Sequence, residues 1–464
     1  MKLHKLTLLP FAIAVWMATH SVAAQESLIA IYERALQNDP ALREAEANYL
    51  ATAEARPQAR SGLLPSLQLS STNARNDSEN PNPPLDFQTG QPSQVISSTE
   101  STRDQRNLSL SLNQSIFDWS RYVSLRQADK VVARAETDFA AAQQDLLLRV
   151  ADTYFNVLAA EDTLASAVAA RESIARQLEQ AERRFEVGLI AITDVQETQA
   201  GFDTAVADEI AAQRALATAQ EFLREIIGEY VTDLAGPTDE LPLLNPDPAN
   251  PEQWVNTAMQ QNLALISSRI GRDIAEDDIK ITRAARFPTL DFSTSLNDQT
   301  SDLTQTNNFF NLPSSGSSAT TVSEGYNWSF NFSVPLYTGG LNRSRIQQNV
   351  YRHRVAMEAL ERIARQTERE TRDAYLGVIS EISRVQALRQ AVQSSQTALR
   401  ATEAGFDVGT RTSVDVLTSQ NNLRRAETTY ARSRYDYILN VLRLKQAAGG
   451  LSAEDLREVD GWLQ

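Results

Sequence analysis

Cysteine is absent from the 464-residue chain, and with it any disulfide framework, thiolate nucleophile or acylated-cysteine lipid anchor. Histidine is nearly as scarce: His4 and His20 lie at the N-terminus, which leaves His353 between Arg352 and Arg354 on a helical pattern. One solvated histidine without partners supports neither a metal centre nor acid–base catalysis, so no metal and no cofactor are expected. No basic block offsets the net charge of −15, which excludes a nucleic-acid partner. Beyond the N-terminus no apolar run approaches the ~18 residues of a membrane-crossing helix, so a chain that enters a bilayer must do so with strands.

The N-terminus itself reads as an export signal. Lys2 and Lys5 precede an apolar run from Leu6 to Met17, and Ser21-Val22-Ala23-Ala24 offers small residues for cleavage. Residues 1–24 are therefore expected to be removed, and the mature protein to begin near Gln25 outside the cytoplasm.

The rest of the chain says the same thing twice. Tyr154, Phe185, Gly188, Asp194 and Gln199 recur as Tyr375, Phe406, Gly409, Asp415 and Gln420, each pair about 221 residues apart. Arg60 with Pro65-Ser66-Leu67 answers Arg283 with Pro288-Thr289-Leu290. A period of half the chain is too long for a solenoid and indicates internal duplication. The expected organisation is a first repeat at 25–228, a Pro-rich equatorial connector at 229–251, a second repeat at 252–448 and a C-terminal equatorial segment at 449–464.

Each repeat carries two strand signals. Alternation of apolar and small polar residues predicts strands at about 66–75, 106–117, 289–297 and 326–337. Between the strands of each pair, 76–105 and 298–325 are rich in Asn, Ser, Thr, Pro and Gly and read as long exposed loops. Phe117, Trp119, Phe287 and Tyr337 gather at the opposite strand ends, as an interfacial aromatic girdle would. Plugging of a soluble core by the same rings is the other reading.

Everything else is helix. From Ser120 to Phe185 no proline interrupts an Ala-, Leu-, Gln- and Arg-rich pattern with apolar residues three and four apart, and Leu341 to Phe406 repeats it. Such a run spans roughly 100 Å. Shorter helices are expected over Ser27 to Arg60, Thr193 to Ile227, Pro251 to Arg286 and Ser413 to Ala448, two of them stacked matching one long helix in an antiparallel coiled-coil wall. Val187-Gly188-Leu189 and Val408-Gly409-Thr410 then form the far tips.

An apolar row opposite a polar row is how a transmembrane β-barrel is written, yet four strands cannot close and lipid does not tolerate open edges. Two copies would give eight strands, three would give twelve and room for a pore. A periplasmic coiled-coil scaffold or a surface fibre is the rival reading, but neither has a use for Leu108, Leu110, Leu112, Trp328, Phe330 and Phe332 facing one apolar medium.

Here a resemblance becomes specific. Gln114-Ser115-Ile116-Phe117-Asp118, Thr153-Tyr154-Phe155-Asn156-Val157-Leu158, the run from Arg184 to Val195, and Val408 to Leu417 are similar to the TolC family of outer-membrane efflux and secretion channels. The likeness covers nearly the whole mature chain. It implies an α+β membrane protein: a homotrimer sharing a twelve-stranded antiparallel barrel, four strands per chain, continued by an α-helical coiled-coil tunnel in the periplasm. It also implies outer-membrane lipid as surroundings, a periplasmic adaptor protein and an inner-membrane RND or ABC transporter as partners, and no enzymatic activity.

The resemblance further implies a gate at the periplasmic tip. Arg411 occupies the position that links to a neighbouring coil at Thr193 and Asp194, with Glu403 and Phe406 among the gating positions, while Asp415 and Thr418 face the narrowest ring. Taken without the family, Arg411 and Asp194 would be an ordinary surface pair. Two departures stand out: Phe406 replaces a tyrosine whose hydroxyl would bond Asp194, and Thr418 replaces a second aspartate. A gate held by fewer links, with one acidic ring, is expected. Arg184, Phe185, Gly188, Leu189, Gly409 and Thr410 are the expected adaptor-docking positions, since glycine lets another helix hairpin come close.

Overall fold

The computed structural model describes residues 25–82, 97–231, 233–238, 241–309 and 313–463. The expected signal peptide at 1–24 lies outside the described residues. Backbone contacts divide the chain into two compact units, one made of residues up to Arg43 with Gln143–Thr257 and Glu370–Gln464, the other of Glu44–Ala142 and Ala258–Arg369.

The helix expected over Ser27 to Arg60 is three helices: α1 (Leu28–Asn38), α2 (Pro40–Ala53) and α3 (Ala55–Ser61). Proline opens α2 because the first helical turn needs no donor from it. Asp39, at the joint, accepts the Leu42 amide at 2.8 Å and both guanidinium nitrogens of Arg149 at 3.3 and 2.8 Å, so this buried carboxylate pins the break in place. Two strands follow, β1 (Ser66–Asn82) and β2 (Ser97–Phe117), then the 68-residue α4 (Trp119–Glu186) and its return helix α5 (Ile192–Ile227). The second half runs α6 (Pro251–Gln261), α7 (Leu263–Ala284), β3 (Thr289–Phe309), β4 (Ser315–Ser333), the 67-residue α8 (Leu341–Asp407), α9 (Ser413–Ala447) and the short α10 (Ala453–Asp460). Asn262 divides α6 from α7 by accepting the Leu265 amide at 3.1 Å, so the helix expected over Pro251 to Arg286 is also broken.

In the first unit, α1, α4, α5, α9 and α10 bury Leu28, Ile31, Leu146, Tyr154, Phe155, Leu223, Ile227, Tyr437, Leu442 and Leu456. Burying that apolar surface supplies most of the cohesion. The Tyr154 hydroxyl donates to the Ala235 carbonyl at 2.7 Å, which ties α4 to the Pro-rich segment after α5. Arg434 on α9 donates to the Pro237 and Thr238 carbonyls at 2.9 and 2.6 Å, and the Tyr437 hydroxyl accepts from the Leu244 amide at 2.8 Å.

The second unit holds one antiparallel sheet in the order β1-β2-β3-β4. Its strands differ from the expected lengths. The ladder pairs Ser66 with Asn113 and continues to Asn82 with Ser97, and β3 pairs with β4 from Thr289–Ser333 out to Asn307–Ser315. Most of the segments 76–105 and 298–325 are therefore strand rather than loop. Residues 83–96 and 310–312 lie outside the described residues. The physical reason is that ladder hydrogen bonds belong to the backbone, so a strand with polar residues on both faces still pairs although it shows no alternation. At the other end β4 stops at Ser333, four residues short of expectation, and Tyr337 lies beyond it.

Candidate functional site

Register sorts the sheet into two unlike faces. Rows of directly opposed residues read Leu69, Leu110, Leu296 and Tyr326; Leu67, Leu112, Thr294 and Trp328; then Phe292 with Phe330 and Leu290 with Phe332. Trp328, Phe330 and Phe332 are 60% to 66% exposed, and the Phe292 and Phe330 rings meet at 5.0 Å. The other face is hydroxyl and amide: Ser109 Oγ donates to Asn297 Oδ1 at 2.7 Å and Ser293 pairs with Ser329 at 2.8 Å. The apolar face ends where Leu108 meets Asp298 and Asp298 meets Glu324. From there to Phe117 is about ten residues, the length with which a tilted strand crosses a bilayer. Phe117, Trp119, Phe287 and Tyr337, all exposed, follow at one end of the sheet, with Trp119 against Tyr122 at 6.3 Å. β1 and β4 each have one edge without a partner strand in the sheet.

The other candidate site is where α4 turns into α5 and α8 into α9. Gly188 and Gly409 adopt φ of +75° and +76°, a left-handed conformation that costs other residues and not glycine. The Gly188 amide donates to Phe185 O at 2.8 Å and Leu189 N to Arg184 O at 2.9 Å; Gly409 N donates to Phe406 O at 3.1 Å and Thr410 N to Gly405 O at 2.8 Å. Both tips are the same Schellman stop. Nothing lies within 4 Å of where a side chain would grow from either glycine, and Val187, Leu189 and Val408 stand 70% to 75% exposed around them.

Inside the tips the side chains differ. Asp415 accepts the Thr412 amide at 2.9 Å and the Thr412 hydroxyl at 3.0 Å, capping α9, and the Thr412 amide and hydroxyl hold its carboxyl below the usual carboxylate range, helped by the charge of Arg411. Asp194, its counterpart, accepts the Ala191 amide at 3.3 Å, but alanine has no hydroxyl to answer it. Arg184 reaches from α4 to α8, with its guanidinium 5.0 Å from the Phe406 ring centre and 3.2 Å from Asp407 Oδ1. Half-buried Glu403 and Phe406 line a cleft of about 360 Å³ with Ser173, Arg176, Thr198 and Ser413.

Among the described residues no hydrogen bond joins Arg411 to Thr193 or Asp194 within the chain; Thr193, Arg411 and Thr418 are exposed. Sequence reasoning missed Gly405. A Cβ there would sit 2.7 Å from Arg411 Cγ, so glycine is what lets Arg411 fold back over α8. It also missed Asp407 as the partner of Arg184, and the cap donor Thr412. The repeat offset is the signal that could have flagged Gly405 and Thr412, since it aligns Arg184 with Gly405 and Ala191 with Thr412.

A family model described as outer membrane efflux protein matches residues 31–229 and again 254–450, once per repeat. The chain is similar to the outer membrane protein TolC of Vibrio cholerae, 37% identical over 98% of both chains. It is also similar to the alkaline protease secretion protein AprF of Pseudomonas aeruginosa, 28% identical over 92% of this chain and 85% of that one. Its fold matches the crystal structure of the Campylobacter jejuni CmeC outer membrane channel, with a TM-score of 0.70 at 17% identity over 95% of this chain and 90% of that one. The chain thus belongs to the outer membrane efflux protein family: it is an outer-membrane channel for efflux and secretion, with the family's shared β-barrel and helical tunnel.

Proposed function

We propose that three copies close one twelve-stranded barrel, in which β1 of each chain pairs with β4 of the next, and that the pore is a passive exit duct without catalytic chemistry. The observation that carries this reading is the sheet: an apolar face long enough for a bilayer, a polar face behind it, and two unpaired edges. A lone sheet leaves those edges unsatisfied in hydrocarbon; copies related by a rotation axis satisfy them all. Phe117, Trp119, Phe287 and Tyr337 then sit at headgroup level.

At the tips, a periplasmic adaptor docks over Gly188 and Gly409 against Arg184, Phe185, Leu189 and Thr410, and couples the duct to an inner-membrane RND or ABC transporter. Substrates are small toxic molecules in the first case and type I secreted proteins in the second. The resting gate is held by Arg411 of one chain on Thr193 and Asp194 of a neighbour, with Glu403 and Phe406 behind it and Asp415 and Thr418 at the narrowest ring. Three Asp415 carboxylates around one axis favour cations. In planar bilayers the purified channel should prefer cations and be blocked by multivalent ones, and Asp415→Ala should abolish both properties. Unchanged selectivity and block would remove Asp415 from the ring.

A further inference from the structure

We propose that Arg184 is a latch within each chain, holding the tip of the α8/α9 hairpin against the α4/α5 hairpin so that the channel stays shut. This rests on the reading of the tip as a gate and supplies a link for it from this chain's own residues.

Several polar contacts join the two hairpins along their length. Arg443 of α9 meets Asp152 of α4 at 3.3 Å, Tyr435 meets Asp162 at 2.5 Å, Arg424 meets Asp208 of α5 at 3.0 Å, and Gln420 meets Ser173 at 3.0 Å. The Arg184 contact to Phe406 and Asp407 comes after all of these, only four residues before Gly188 on one side and two before Gly409 on the other. A link at the end of a hairpin restrains the angle between hairpins more than one near the root. The cleft lined by Glu403, Phe406 and Ser413 lies alongside, and the Ser413 hydroxyl is buried there without a hydrogen-bond partner. Small apolar side chains, Ala181, Val195 and Val416, are buried at this level, and the latch adds a polar link to that packing at the hairpin ends.

The side chains suit the task. Arg184 is 26% exposed, so its guanidinium is partly shielded while it stacks on the ring and pairs with the carboxylate, and both interactions strengthen as water is excluded. Asp407 is 66% exposed, which keeps the ion pair weak enough for a partner to displace. Phe406 cannot donate a hydrogen bond, but its ring face is the surface a guanidinium prefers.

The test is single-channel recording of the purified assembly in planar bilayers at low salt, with no adaptor present, so that docking cannot contribute. Arg184→Ala should raise the open-state population about fivefold to tenfold, and Phe406→Leu by less. The exchange Arg184→Asp with Asp407→Arg should return it to within about twofold of the parent. Arg411→Ala is the reference for the gate itself. If it opens the channel while Arg184→Ala and Phe406→Leu do not, the latch is wrong and the gate stands. If none of them opens the channel, the latch falls together with the gate. Failure of the exchange to restore closure overturns the ion pair as its working part.

Discussion

The two hairpin tips have one backbone and two chemistries. Both end in glycine at φ near +75°, with the same pair of closing hydrogen bonds. Around that turn the first tip carries Arg184, Leu189, Ile190 and Ala191 where the second has Gly405, Thr410, Arg411 and Thr412. The first tip is apolar outside and sends one arginine inward to its partner hairpin. The second exposes Val408 but is otherwise polar, capped by Thr412 and Asp415, and clears space at Gly405 so that Arg411 can lie across it. Both copies keep the glycine that turns the chain, along with Phe185/Phe406 and Asp194/Asp415, while the positions at 184, 189, 190 and 191 differ from those at 405, 410, 411 and 412. Two tips that share a turn can thus offer an apolar docking surface on one and breakable polar links on the other.

The largest expected effect tests what the tips share. Gly188→Val and Gly409→Val force a β-branched residue into left-handed backbone, at a cost of about 1–2 kcal/mol, and fill the space where a partner helix would approach. Each should abolish efflux-dependent drug resistance in cells while trimers still assemble. Resistance lost with Gly188→Val alone would confine docking to the apolar tip and sharpen the contrast; resistance kept by both would remove docking from the glycines.

These tips were the most legible part of the site, and the reason is local. Glycine followed by a new helix start, repeated at a fixed offset, states its backbone conformation without reference to anything distant. The apolar rows of the sheet were legible for the same reason, because Leu108, Leu110 and Leu112 alternate with serines along one strand. The outer halves of the strands were not: from Asn76 onward in β1 and through most of Asp298 to Asn308 in β3, polar residues stand on both faces and the period of two disappears. The break at Asp39-Pro40 was legible in principle, since polar Gln37-Asn38-Asp39 precede a proline and proline suits the first turn of a helix. Arg184 with Asp407 was not legible at all. The partners stand 223 residues apart, and only the packing of α4 on α8 brings them together.

A smaller effect tests where the tips differ. Thr412 completes a reciprocal cap that Ala191 cannot, so Thr412→Ala should cost about 1 kcal/mol and Ala191→Thr should stabilise α5 by a similar amount. Hydrogen exchange read by mass spectrometry should report it locally: faster exchange in the first turn of α9 for the former, slower in the first turn of α5 for the latter. If both variants exchange like the parent, the hydroxyl does not distinguish the tips.

The smallest effect concerns acidity, and its sign follows from the cap. The Asp415 carboxyl is held below its ordinary pKa of 3.8 mainly by the Thr412 amide and then by the Thr412 hydroxyl. A group whose pKa is lower folded than unfolded contributes stability above the unfolded value, and that contribution is lost as pH falls through the folded one. The start of α9 should therefore hold at neutral pH and loosen only in strong acid, once the carboxylate protonates and stops accepting from Thr412. Amide exchange at Ser413 to Asp415, corrected for intrinsic rates, should rise in that range. In Thr412→Ala the hydroxyl's share of the depression is gone, so the same rise should begin at a higher pH. A rise at the same pH in parent and variant would mean that the backbone amide alone sets the titration, leaving the second tip no more acid-resistant for its threonine.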